Sequence, residues 1–291
     1  MDMGFRAWKE ATLARLNSGS LVAQTARGAV EYAVAGTGPA VLVVHGRPGG
    51  YDQGLMIARI LNDPEVRFIA LSRPGYLRTP LETGRSPEEQ GDALAALLDV
   101  LGVPQAAVIA LSAGGPAAFQ FALRHPSRCW GVVAISTRTR RLARAPLGLR
   151  IMHSVLGCSD AVGWLLSRLI GCMPQRAARR KAPLLEGVQT FIPYSLRRAG
   201  SSNDLCQMAR LSHHPLSEIR TPTLVIHGTA DRIVSCSDAE LAANTVPQAQ
   251  LIRIPGGGHG VFFVQHHWLA PRILEFLKAH APTGLAPAGP T

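Results

Sequence analysis

No run of about 18 apolar residues occurs in the chain, so no membrane-crossing helix is expected. Met1 to Glu10 mix charges of both signs and lack an apolar h-region, so no signal peptide is expected either. Cysteine is sparse: Cys129, Cys158, Cys172, Cys206 and Cys236 form an odd, dispersed set without paired metal spacing. Such a set suits a reducing cytoplasm better than a disulfide framework, and with no ligand-spaced cluster no metal is implied. Acidic residues are in deficit, 19 Asp and Glu against 30 Lys and Arg, for a formal net charge of +11. The excess is mostly arginine, without lysine-rich tracts or a nucleic-acid motif. A solvated basic surface is expected, not a nucleic-acid partner. Also missing are a G-x-G-x-x-G turn and a Walker lysine, which argues against a phosphate loop. There are no internal repeats.

What is present is alternation. At 291 residues the chain can bury a large core. The apolar runs Val41–Val44, Val66–Leu71, Ala106–Ala110, Gly131–Ile135, Pro222–His227 and Gln250–Ile254 read as strands. Between them stand helix signals, the fullest at Ser86-Pro87-Glu88-Glu89, with an N-cap serine, proline at the first position and glutamate at the third. Other helices are expected over Tyr51–Leu61, Pro116–Arg124, Asp238–Val246 and Phe262–Ala279. Leu21–Thr25 and Ala29–Val34, joined through Arg27-Gly28, read as a hairpin. Strand–helix alternation predicts a doubly wound, mostly parallel sheet.

Three segments stand apart from that pattern. Phe5, Trp8, Thr12, Leu13 and Leu16 fall at helical spacing, so residues 1–19 hold an amphipathic helix that could pack on its own domain, a second copy of the chain, or lipid. Residues 137–215 interrupt the alternation with helical apolar clusters cut by Pro146, Pro174, Pro183 and Pro193. They carry thirteen Arg or Lys against Asp160, Glu186 and Asp204. They read as a helical insertion over the carboxyl edge of a core built from 20–136 and 216–280. Residues 281–291, rich in Pro, Ala and Gly, are expected to be disordered.

Three loops carry the chemistry. Ala110-Leu111-Ser112-Ala113-Gly114-Gly115 joins a strand to a helix with small residues two before and two after a serine. That is the geometry of a nucleophile elbow, with alanine where glycine is usual. A plain glycine-rich helix start is the blander account. A serine hydroxyl needs an adjacent base to act, and histidine suits that role near neutral pH. His259 sits in the glycine-rich loop Pro255–Gly260 after a strand. Asp231 ends the turn after another and could fix the imidazole tautomer. Alone, Asp231 is an ordinary turn aspartate and His259 an ordinary loop histidine. His45, His227, His266 and His267 compete with His259, but the first two read as structural groups at strand ends and the last two lie inside the expected final helix. Order and context together favour Ser112, Asp231 and His259.

On these residues the chain resembles the α/β-hydrolase fold superfamily, in its serine-nucleophile, esterase-like branch, over residues 20 to 280. The motifs that carry the resemblance are His45-Gly46-Arg47-Pro48-Gly49, Ser72-Arg73-Pro74-Gly75-Tyr76, the elbow, His227-Gly228-Thr229-Ala230-Asp231 and Gly258-His259-Gly260. The resemblance implies a sheet of about eight strands and a helical cap over 137–215 that shapes the substrate pocket. It implies an oxyanion hole made by the backbone N–H groups of Arg47 and Ala113. The chain departs from the common pattern at Ala110, and at Ser72, where many relatives carry aspartate. Because Ser112 stands at the elbow where haloalkane dehalogenases and epoxide hydrolases carry aspartate, those branches are excluded.

The reaction expected first is hydrolysis of a small, partly hydrophobic carboxylic ester through an acyl-enzyme, with no metal or organic cofactor. The basic cap raises the prospect of an acidic ester. An aminopeptidase of the prolyl iminopeptidase type comes second, on the His-Gly-x-Pro-Gly turn. It needs acids to hold the substrate's amine, and the insertion has only three. Cleavage of a carbon–carbon bond beside a ketone, or a receptor that binds a small molecule in the pocket, are the remaining readings.

Overall fold

The computed structural model describes residues 4–142, 151, 154–155, 159–172, 182–211 and 215–282. Eight strands are described: β1 (Leu21–Thr25), β2 (Gly28–Ala35), β3 (Ala40–Val44), β4 (Arg67–Leu71), β5 (Ala106–Leu111), β6 (Cys129–Ile135), β7 (Thr223–Gly228) and β8 (Ala249–Ile254). They form one sheet in the order β1-β2-β4-β3-β5-β6-β7-β8. The β1/β2 hairpin and the β2/β4 pair are antiparallel, and all other pairs are parallel. The expected doubly wound sheet is therefore present, with its antiparallel hairpin at one edge.

Why these runs are strands follows from what covers them. In β5, Val108 and Ala110 face one core cluster while Ala107, Ile109 and Leu111 face the other. A strand buried on both faces cannot alternate with polar residues, so it reads as an unbroken apolar run. The first cluster is completed by α3 (Pro87–Val100), α4 (Gly115–Arg124) and α8 (Cys236–Thr245). The second is completed by α2 (Tyr51–Leu61) and α10 (His266–His280). Helix α3 starts in a full capping box, with Glu89 N–H donating to Ser86 Oγ and Ser86 N–H donating back to the Glu89 carboxylate. Gly91 lets α3 approach α4, since a Cβ there would lie 2.9 Å from Phe121 N.

Between β6 and β7 the described chain forms α5 (Asp160–Gly171), α6 (Ala182–Gln189) and α7 (Arg198–Arg210). Two buried ion pairs pin this insertion to the sheet's carboxyl edge. Arg73, from the loop after β4, grips Asp204 of α7 through Nη1 at 2.8 Å and Nη2 at 2.6 Å, and the Tyr76 hydroxyl donates to the same carboxylate. Arg197 grips Asp52 of α2 and donates to Gly49 O. Burial opposes the charge on Arg73, yet Asp204 holds its pKa above the ordinary value. The Tyr76 hydroxyl is raised well above its own, by burial first and then by Asp204.

The N-terminal helix α1 (Phe5–Ser18) lies on its own chain. Thr12 and Leu16 are buried, the Tyr51 hydroxyl donates to Leu16 O at 2.7 Å, Lys9 meets Asp160 at 3.0 Å, and Phe5 stacks edge-on to Trp164 of α5. One expectation needs correction. Phe262–Ala279 is not a single helix: a short α9 (Val261–Val264) ends at Gln265, and α10 begins only at His266. The break lets Val261 and Phe262 turn inward directly after the His259 loop, and His266 Nδ1–H caps the short turn by donating to Phe263 O. His266 and His267 lie in the last helix as expected, in its first turn. The breaks expected at Pro146 and Pro174, Cys158, and the tail from 283 onward lie outside the described residues. Among those residues no helix is long and apolar enough to cross a membrane.

Candidate active site

Ser112 follows β5 directly and takes φ +48°, the left-handed region that a side chain other than glycine adopts at a cost. The small neighbours are required by contact. A Cβ on Gly114 would sit 2.8 Å from Val44 O and His45 O, and one on Gly115 would sit 2.5 Å from Thr137 Cβ. Larger side chains would push helix α4 off the sheet and take the hydroxyl with it.

The loops after β7 and β8 bring the other two residues to this serine. His259 Nε2 lies 2.9 Å from Ser112 Oγ, and His259 Nδ1 lies 2.7 Å from Asp231 Oδ2. Asp231 is wholly enclosed, with 0% of its side chain exposed, while His259 is 23% exposed. The aspartate accepts four contacts. Its Oδ1 takes the N–H groups of Ile233 and Val234 at 2.8 and 3.0 Å, and its Oδ2 faces His259 and, at 3.2 Å, His227 Nε2. Burial alone would raise its pKa, but the hydrogen bonds from His227, His259 and the backbone hold it well below the usual carboxylate range. An enclosed, ionised carboxylate so placed can fix Nδ1–H on His259 and leave Nε2 free to accept from the serine.

His227 is structural, as its place at a strand end predicts: it is fully buried and its Nε2–H donates to Val234 O at 3.0 Å. Its second contact, to Asp231, was not foreseen. The signal lay in the spacing: His227 is the residue four before Asp231 across a tight turn after β7. His45 is structural too. Arg73 N–H donates to its Nε2 at 2.9 Å, which leaves the proton on Nδ1 to donate to Gly46 O at 2.7 Å. Burial first, and then Arg73, hold its pKa well below the ordinary histidine value.

That histidine shapes the Gly46-Arg47 turn. The Gly46 N–H is taken up by Gln53 Oε1 at 2.8 Å, while the Arg47 N–H has no hydrogen-bond partner among the described residues. Ala113 N–H stands in the first turn of the elbow helix, where N–H groups lack an intrahelical acceptor. Both residues border the space in front of Ser112. Ser72 plays no part there: it accepts from Tyr51 N–H and donates to buried Glu31.

The space itself has two lobes that meet at Ser112 and His259. One, of about 150 Å³, is walled by Leu111, Val188, Phe191, Phe262 and Phe263. The other, of about 120 Å³, is walled by Leu142, Leu205, Met208, Ile233 and Val234 together with Arg138. Arg47, which is partly exposed, borders both, and its guanidinium donates to Ser201 of α7. Arg138 was not singled out from the sequence. Among the described residues no Asp or Glu lines either lobe.

The model of the alpha/beta hydrolase family matches residues 41–272. The chain belongs to the alpha/beta hydrolase family. Among the curated members it is similar to an uncharacterized hydrolase, YcgS, of Bacillus subtilis, with 29% identity over 271 residues, 85% of this chain and 92% of that one. Among solved alpha/beta hydrolases it is similar to an alpha/beta hydrolase fold protein from Nakamurella multipartita. The TM-score is 0.71 at 34% identity, over 89% of this chain and 99% of that one. A thermophilic esterase from Thermogutta terrifontis superposes with a TM-score of 0.69 at 26% identity, over 90% of this chain and 99% of that one.

Proposed function

We propose that this alpha/beta hydrolase cleaves small carboxylic esters through a Ser112-His259-Asp231 triad. The observation that carries the reading is the continuous contact from Ser112 Oγ through both ring nitrogens of His259 to a buried carboxylate. Ser112 Oγ attacks the ester carbonyl as His259 Nε2 takes its proton. The oxyanion is held by the N–H groups of Arg47 and Ala113, each such donor being worth roughly 3 kcal/mol of barrier. His259 returns the proton to the departing alkoxide, which leaves as the alcohol. A water then gives His259 a proton while its oxygen attacks the acyl-enzyme, and the acid leaves with Ser112 restored. Asp231 orients the imidazole and stabilises the imidazolium without taking the proton.

The insertion acts as the cap of this site, since its Val188, Phe191, Leu205 and Met208 stand opposite Ser112. Likeness to the Thermogutta terrifontis esterase supports an ester substrate. The aminopeptidase reading loses its amine-binding acids. Asp204 is locked by Arg73 and Tyr76, Asp160 by Ser195 and Lys9, and Glu186 faces Arg59 at 3.5 Å outside both lobes.

A fluorophosphonate probe tests the proposal. Covalent labelling that disappears in Ser112→Ala, with turnover of p-nitrophenyl acetate or butyrate and none of proline p-nitroanilide, is expected. Labelling that survives Ser112→Ala, or turnover of the anilide alone, would overturn it.

A further inference from the structure

The described structure contains four arginines whose guanidinium groups reach into the interior around the site, and they fall into two kinds. Arg73 and Arg197 each face a carboxylate with both terminal nitrogens. Arg47 and Arg138 make no ion pair with any described carboxylate. Arg138 is 8% exposed, spends one N–H on Ile233 O at 2.8 Å, and leaves its buried Nε without a hydrogen-bond partner among the described residues. Arg47 reaches Ser201 through Nη1 and leaves Nη2 buried and without a hydrogen-bond partner among the described residues. Burial lowers the Arg138 pKa against the pull of Asp238 and Asp231, yet a guanidinium stays cationic at neutral pH. Asp238 and Asp231 act on Arg138 only from beyond ion-pair distance, and a buried guanidinium that no carboxylate meets directly is costly. Both of these border the same lobe, beside Ser112.

We propose that the substrate supplies the direct partner these guanidinium groups lack, and that the pocket takes an ester bearing a carboxylate, held by Arg138 and Arg47 in the smaller lobe. This rests on the serine-hydrolase reading above and adds the substrate class to it. The larger lobe, walled by aromatic and aliphatic side chains, takes the apolar alcohol. The smaller lobe, of about 120 Å³, places Arg138 and Arg47 close to Ser112, which suits the half-ester of a short dicarboxylic acid. Guanidinium groups suit this task because their planar fork pairs both carboxylate oxygens.

The test compares monobutyl succinate with butyl 4-methylpentanoate, its neutral isostere, by titrating the acid released. The wild-type protein is expected to favour the half-ester by about tenfold or more in kcat/KM, the worth of a charge-assisted hydrogen bond. Arg138→Gln should bring that ratio toward one, and Arg138→Lys should keep part of it. Succinate should inhibit the wild-type protein competitively and succinamide should not, a readout that needs no variant to fold. A wild-type ratio near one, or equal inhibition by both compounds, with fluorophosphonate labelling of Ser112 intact, overturns the carboxylate pocket and leaves the hydrolase reading standing. Loss of labelling together with turnover overturns both.

Discussion

Asp231→Asn tests the site most sharply, because the structure decides which way the new amide must face. The wild-type carboxylate only accepts: Oδ1 takes the N–H groups of Ile233 and Val234, and Oδ2 faces His259 and His227. An amide keeps one acceptor. If its oxygen stays on the two backbone N–H groups, its NH2 points at His259 Nδ1. The reverse orientation sets NH2 against two buried N–H donors, leaving each unsatisfied at about 1–3 kcal/mol. The first orientation therefore wins. It turns His259 Nδ1 into an acceptor and moves the proton to Nε2, where it meets the Ser112 hydroxyl and can no longer take its proton. A wrong-tautomer histidine is expected to lower kcat about 10⁴-fold, or roughly 5 kcal/mol of barrier at 1.36 kcal/mol per decade.

The assay is kcat on a butyrate ester, read alongside the fluorophosphonate labelling rate and thermal unfolding. A folded Asp231→Asn protein that retains kcat to within about tenfold would refute the assignment of Asp231, since the tautomer argument leaves no room for so small an effect. Stability gives an independent check of sign. The folded pKa of Asp231 lies below its unfolded value, so its contribution is complete above the unfolded pKa of about 3.9 and is lost as pH falls toward the folded one. The wild-type protein should lose stability faster than the variant as pH drops below about 4.

Two further outcomes test the scaffold. Asp204→Ala strands Arg73 as an uncompensated buried cation and should cost about 3–5 kcal/mol, a fall in Tm on the order of 10 °C. Calorimetry on that variant and on Arg73→Met/Asp204→Leu checks it, the pair being expected to recover much of the loss; a single-variant drop below about 1 kcal/mol would contradict the claim that this pair anchors the insertion. Gly91→Ala drives a Cβ to 2.9 Å from Phe121 N and 3.0 Å from Gln120 C, both backbone atoms that cannot swing aside. Overpacking of about 1–3 kcal/mol should outweigh the gain of up to about 1 kcal/mol in helix propensity, and a denaturant midpoint at or above the wild-type value would refute this.

Local chemistry made much of this fold legible. Buried parallel strands must be apolar on both faces, so Val41–Val44 and Val108–Ala110 announce themselves without their neighbours. Ser86, Pro87 and Glu89 mark a helix start through bonds made within one turn. The juxtaposition of Ser112, Asp231 and His259 was legible for a similar reason, since each sits where a strand ends and strand ends converge on one sheet edge. The break at Gln265 was not, because Phe262 and Phe263 carry the apolar character of the helix that follows. The turn between them and α10 coincides with the pocket wall that Phe262 and Phe263 complete.

The arginines mark the boundary of such reading. In sequence Arg73, Arg138 and Arg197 look alike, three members of a basic excess best assigned to solvated surface. All three are buried, and they differ only in what stands opposite: Asp204 for Arg73, Asp52 for Arg197, and an open lobe beside Ser112 for Arg138. Asp204 lies 131 residues from Arg73 and Asp52 lies 145 from Arg197, so no local pattern could have paired them. Arg73 consumes Asp204, while Ser195 with Lys9 and Arg59 engage Asp160 and Glu186, so among the described residues the lobe beside Ser112 is lined by positive charge alone. The same distribution of charge thus anchors the insertion and biases the site toward an anionic substrate, so breaking the Arg73–Asp204 pair should disturb the Arg47–Ser201 contact, and with it substrate choice, as well as stability.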